Sequence, residues 1–96
     1  MKISEFQKHI KDLYFERDVK RGKEKVFLWF VEEVGELSKA LRRKDFENIK
    51  EEIADCFAWL FSLANVHNVD VEEILSKKYP EKCIYCNSNP CRCDKL

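Results

Sequence analysis

VFLWFVEEVGELSKAL, residues 26 to 41, is apolar at helical intervals yet holds three carboxylates and a glycine in its middle. Phe27, Phe30, Val34, Leu37 and Leu41 recur three and four residues apart, the spacing of one face of an α-helix. Glycine within a helix costs roughly 1 kcal/mol against alanine, and neighbouring carboxylates repel one another. Both penalties fall in the segment that has to build the core.

Outward from this stretch the punctuation is that of helices. The central helix is expected from about Glu24 to Arg43, with Gly22 as the stop of the helix before it. That first helix opens on Ser4 and Gln7, read as a capping box, and carries Phe6, Ile10, Leu13 and Tyr14 on one stripe. Asp45 is the N-cap of a third helix reaching about Val66, carried by Phe46, Ile49, Ile53, Cys56, Phe57, Leu60 and Ala64. Asp70 and Glu73 form another capping box, with Val69 and Ile74 at the staple positions, for a short helix ending before Pro80. No strand pattern occurs. The class is all-α, a four-helix domain over residues 1–80 followed by a cysteine-rich, non-helical tail over residues 81–96.

Ninety-six residues make one domain with a thin core. Only two glycines and two prolines, with 38% charged residues, favour long amphipathic helices. Eighteen basic and eighteen acidic residues cancel, so no overall field draws nucleic acid or membrane. The longest uncharged run, Cys56 to Val69, is fourteen residues, short of the ~20 that span a bilayer. The first residues, MKISEFQKHIKDL, are charged throughout and lack an apolar signal region, so a cytoplasmic location is expected.

The acids have a phase. At about 100° per residue, with Val34 as origin, Glu33 lies about 100° and Glu36 about 160° around the helix, among Val26, Trp29 and Ala40. On the third helix, with Ile53 as origin, Glu52 and Asp55 stand at the same two angles. Packed antiparallel, the two helices can bring four carboxylates together along one edge. Such a set repels itself unless a cation lies among it, and oxygen-only ligands select Mg²⁺ or Mn²⁺. Gly35, in register with Ala54, is expected to let a neighbouring backbone approach. The bland alternative is a set of solvated acids, which needs neither the duplicated phase nor an apolar lining.

EEVGEL, followed after thirteen residues by EEIAD, resembles the EExxE…ExxD signature of MazG-like nucleotide pyrophosphohydrolases. The resemblance runs over roughly residues 3 to 80, through RDVKRG, SLANVHNVDVEEILSK and KYP. It implies an all-α, oligomeric, Mg²⁺-dependent enzyme that hydrolyses nucleoside triphosphates to monophosphate and pyrophosphate. By motif, Glu33, Glu36, Glu52 and Asp55 become the magnesium ligands, Glu32 assists from outside them or orients water, and Lys77 is carried over as a substrate contact. The resemblance departs at SKKYP, where Lys77 and Lys78 meet Tyr79 directly and the asparagine common in the family is missing. A related phosphoribosyl-ATP pyrophosphatase, and a non-catalytic binding module on the same scaffold, are the alternatives.

Other candidates have two readings each. Trp59, one turn past Asp55, can stack on a base or fill an interface. Arg17 and Arg21, in a basic run with Lys20, Lys23 and Lys25, can meet the outer phosphates or simply face solvent. Cys56 reads as an inert core thiol. Cys83, Cys86, Cys91 and Cys93 have the spacing C-x2-C-x4-C-x-C, which suits a zinc site within one chain or shared between chains; redox-active thiols or an iron–sulfur site are the other readings. Phe27, Trp29, Phe30, Phe57, Trp59 and Phe61 exceed what so small a monomer can bury, so a homodimer or homotetramer is expected.

Overall fold

The computed structural model describes residues 1–94. Four helices follow in order, α1 (Ile3–Arg21), α2 (Lys23–Arg43), α3 (Phe46–Val66) and α4 (Val71–Lys78), with no strand among the described residues. No helix is long and apolar enough to cross a membrane.

The junctions are short because each is closed by capping groups. Gly22 takes φ 89°, a conformation that side chains disfavour; its N–H donates to Asp18 O and its carbonyl accepts from Val26 N. At the α2–α3 turn Lys44 is left-handed, with its N–H on Leu41 O and that of Asp45 on Ala40 O, and Asp45 Oδ1 then caps α3 through Asn48 N at 3.2 Å. Asn68 and Asp70 repeat this device before α4, where Asp70 Oδ1 accepts from Glu73 N at 3.1 Å.

The start of α1 departs from expectation. The helix begins at Ile3, Lys2 N–H donates to Glu5 Oε1 at 3.1 Å, and Ser4 lies inside the first turn. Gln7 reaches across the molecule instead. Its amide donates to Asn65 Oδ1 at 2.9 Å and to Val69 O at 2.7 Å, and its Oε1 accepts from Val71 N at 3.0 Å. A half-buried amide with tertiary partners at both ends is worth more there than as a local cap.

α3 packs against both α1 and α2, and α4 leans on α1. Phe61 is the hub, edge-on to Phe6 at 5.0 Å and tilted against Phe57 at 6.3 Å. The face that α2 turns inward corrects the sequence reading. Val26 and Ala40 are fully buried, with Phe30, Glu33 and Leu37 partly buried between them. Phe27, Val34 and Leu41 remain 49%, 43% and 55% exposed, and on α3 Ile53, Phe57 and Leu60 are left out likewise. Each long helix carries two apolar stripes, and one chain buries only one of them. The α2 stripe turned inward holds small Ala40 and the acid Glu33; the bulkier stripes are left uncovered.

The dimensions agree with that account. The radius of gyration is 15.9 Å, against about 12.5 Å for a compact chain of this length. The accessible surface is 7869 Å², about 2,000 Å² more than a folded monomer of this mass normally exposes.

Candidate active site

Trp29 stacks on Trp59, centroids 5.8 Å apart and planes 15° from parallel, and nearer the α2–α3 turn Glu33 meets Glu52 and Asp55. Pairs in that order run α2 and α3 antiparallel. On the inward stripe of α2, Glu33 falls between Phe30 and Leu37; on α3, Glu52 and Asp55 are one turn apart and meet it. Each of the three offers a carboxylate oxygen, and these oxygens all lie within 4.8 Å of one another. Glu33 and Glu52 are half-buried and Asp55 is exposed. Glu33 and Glu52 are therefore inside the helix–helix seam, with Asp55 at its edge.

Burial there raises the Glu33 carboxyl from 4.5 to about 7, with a hydrogen bond to Glu52 and the charges of Asp55, Glu52 and Glu36 adding to it. Glu52 Oε2 is buried without a hydrogen-bond partner. Two ionised carboxylates have no donor to share, so this oxygen is satisfied by a proton on Glu33 or by a cation. An octahedral Mg²⁺ with bonds of ~2.1 Å holds oxygens ~3 Å apart when adjacent and ~4.2 Å when opposite, a span the three acids can meet. Their hard donors and orphaned oxygen fit such an ion. Cys56 faces the same seam, and its thiol is pushed up by burial and then by Glu33, Glu52 and Asp55. It is a half-buried neighbour of the acids, and the upward shift keeps it a protonated, unreactive thiol.

Asp55 also lines a groove of about 220 Å³, together with Trp59 of its own helix and Arg17 and Arg21 of α1. The floor includes Asp18, 1% exposed, whose Oδ1 accepts from Arg21 Nη1 at 3.2 Å. Arg21 in turn lies over the Trp59 ring, 5.3 Å from its centroid. Trp59 is thus already engaged by Trp29 and Arg21, and a base could stack on it only by displacing one of them. Arg17 and Arg21 share this groove with Asp55.

Other expectations move. Glu36 is exposed and outside the converged triad, reaching it through its charge on Glu33. Glu32 lines a different, shallow depression with Lys25, Leu28 and Trp29, one position round the helix from Glu33. Lys77 is paired with Glu73 at 3.0 Å on exposed α4 and does not line the groove. Beyond its own turn of helix, nothing lies within 4 Å of where a Gly35 Cβ would stand, so the expected close approach of a neighbouring backbone is absent from this chain. Sequence reasoning missed Asp18, Tyr14 and Ser62 as groove residues. Only Asp18 left a trace, an acid placed one turn before Arg21 in a basic run. The four tail cysteines converge separately, their sulfurs within 4.8 Å of one another.

A profile of the MazG nucleotide pyrophosphohydrolase domain matches residues 21–86. That span holds α2, α3, α4 and both carboxylate pairs; it leaves out most of α1 and takes in two of the four tail cysteines. No curated protein matches the chain significantly. With well over half of its length matched, and with the acidic seam in the matched part, the chain belongs to the MazG nucleotide pyrophosphohydrolase family.

Proposed function

We propose that the protein is a Mg²⁺-dependent hydrolase of nucleoside triphosphates, releasing the monophosphate and pyrophosphate, with Glu33, Glu52 and Asp55 as its metal ligands. The observation that carries this reading is the convergence of three carboxylates around a buried, unpartnered Glu52 oxygen. Bound there, the ion would neutralise the triphosphate and lower the pKa of a coordinated water. The chain's own groups do the rest. Arg17 and Arg21 receive phosphate oxygens along the groove, and Asp18 holds the Arg21 guanidinium in place. The water oxygen bonds to the α-phosphorus, the bond from that phosphorus to the bridging oxygen breaks, and pyrophosphate departs with that oxygen. Glu36, exposed and one turn from Glu33, is the carboxylate free to accept the water's proton, a role Glu32 is turned too far round the helix to fill.

The working form is a homo-oligomer in which a second copy covers the stripes of Phe27, Val34 and Leu41 and of Ile53, Phe57 and Leu60. Their exposure, and the surplus surface of about 2,000 Å², are of the size that obligate interfaces bury. The tail thiolates are soft ligands, unsuited to a magnesium–phosphate centre, and take no part in this step.

The test is pyrophosphate release with Mg²⁺ from standard, deoxy and modified triphosphates and from phosphoribosyl-ATP, beside Asp55→Asn and Glu36→Gln. Expected is metal-dependent turnover on at least one triphosphate, lost in Asp55→Asn and reduced ~100-fold or more in Glu36→Gln. Turnover confined to phosphoribosyl-ATP makes the related pyrophosphatase the answer. No turnover on any compound removes the enzyme reading in favour of a binding module.

A further inference from the structure

Away from the acidic seam, the densest set of metal-ligating atoms is in the tail. The sulfurs of Cys83, Cys86, Cys91 and Cys93 all lie within 4.8 Å of one another, with Cys83 and Cys93 at 3.6 Å and Cys86 and Cys91 at 4.0 Å. A tetrahedral ion with bonds of ~2.3 Å sets its thiolates ~3.8 Å apart, between those two values. All the cysteines are free. A multi-iron cluster would distribute four thiolates over separate metal atoms and spread them further than this.

The backbone is shaped to aim these side chains. Cys83 N–H donates to Ser88 O at 3.0 Å and Asn87 N–H to Cys83 O at 2.7 Å, closing a turn in which Asn87 takes φ 57°. Asparagine tolerates that left-handed conformation, which is why NSNP can reverse the chain between the two cysteine pairs. Asn89 Nδ2 ties the turn back to Glu81 O at 2.8 Å. Two backbone N–H groups point at sulfur, Arg92 on Cys86 and Cys93 on Cys91, both at 3.3 Å. Such N–H···S bonds are the outer contacts that orient thiolate ligands.

What the tail lacks is a core. Ile84 and Tyr85 are 51% and 74% exposed, and a segment this short cannot bury enough apolar surface to order itself. An ion that replaces the missing core supplies that order.

We propose that Cys83, Cys86, Cys91 and Cys93 of a single chain form a closed, mononuclear structural zinc site. It is chemically orthogonal to the acidic seam: soft thiolates in the tail, hard carboxylates between α2 and α3. Zinc is chosen over iron because tetrahedral thiolate sites bind it more tightly and it brings no redox chemistry. Cys83 and Cys86 fall inside the family match and Cys91 and Cys93 beyond it, so the match does not contain the whole four-thiolate set. Because all four ligands come from one chain, the metal does not join subunits.

The experiment is elemental analysis of the full-length protein, loaded with zinc under reducing conditions and desalted, beside a cobalt-substituted sample. Expected is about one zinc per chain, and for cobalt the intense visible bands of a tetrahedral thiolate site. Cys83→Ser and Cys91→Ser should fall below about a tenth of that zinc with helix content retained, while Cys56→Ser keeps the zinc. Zinc absent, iron in its place, or one zinc shared by two chains would each overturn the proposal. Should the serine variants not fold, the cobalt spectrum of the unaltered chain decides alone: no thiolate-to-cobalt charge transfer refutes the site.

Discussion

Glu33→Gln should stabilise the metal-free protein at alkaline pH while abolishing its response to magnesium. The Glu33 carboxyl is raised from 4.5 to about 7. The proton-bound form is favoured in the fold, so the associated stability is full below about 4.5 and is lost as pH rises through about 7. At 1.36 kcal/mol per pH unit the loss is at most ~3 kcal/mol, and partial exposure of the carboxyl brings it to ~1–2 kcal/mol. The amide of Glu33→Gln carries no charge and can donate to Glu52 Oε2, the orphaned acceptor. In magnesium-free buffer, at fixed chain concentration and without a chelator that would disturb the tail, circular-dichroism melts at pH 8 should put the variant roughly 5–10 °C above wild type. At pH 5 the difference should nearly vanish. Added Mg²⁺ should raise the wild-type Tm at pH 8 and leave that of the variant unmoved. A variant melting below wild type in magnesium-free buffer at pH 8, or a gap of equal size at pH 5, would show that the seam holds no repulsion to relieve.

The same proton makes Mg²⁺ binding pH-dependent: affinity should climb from pH 5 to pH 8, with proton release on binding, as titration calorimetry in buffers of different ionisation enthalpy would show. Arg21→Ala removes the cation between Asp18 and Trp59 and should raise KM about tenfold while leaving Mg²⁺ affinity as it was; an unchanged KM would detach the groove from the substrate. Gly35→Ala, with open space around the new methyl, should stabilise a single chain by ~1 kcal/mol in urea, and a loss of stability instead would mean that a second copy packs there. Phe57→Asp, on an uncovered stripe, should give a monomer in analytical ultracentrifugation; an unchanged sedimentation coefficient would move the interface elsewhere.

The helices themselves were legible because their signals are local. Gly22, Asp45 and Asp70 each decide a boundary through bonds within a few residues, and the sequence places all three. The choice of face was not legible. Both stripes of α2 are apolar, and choosing Phe27, Phe30, Val34, Leu37 and Leu41 by their spacing ignored how closely Val26 and Ala40 let two helices approach. That same rotation explains the partial reading of the acids. Their shared phase was right in angle, but turning the seam by one residue draws Glu33 and Glu52 inward and leaves Glu36 outside. Gln7 shows the other limit, since nothing local distinguishes a capping amide from one whose partners lie 58 to 64 residues away.

That amide has a consequence for motion. α4 has eight residues, none of them buried, and helices so short are unstable alone. Its attachment to the rest of the molecule leans on the three bonds of the Gln7 side chain to Asn65, Val69 and Val71. In hydrogen exchange, amides of α4 and of the turn before it should lose protection through local opening, well before those of the α2–α3 pair. The Gln7 side chain is thus a tie between the first turns of α1 and the start of α4, and its loss should ease the opening of α4 before it reaches the α2–α3 pair.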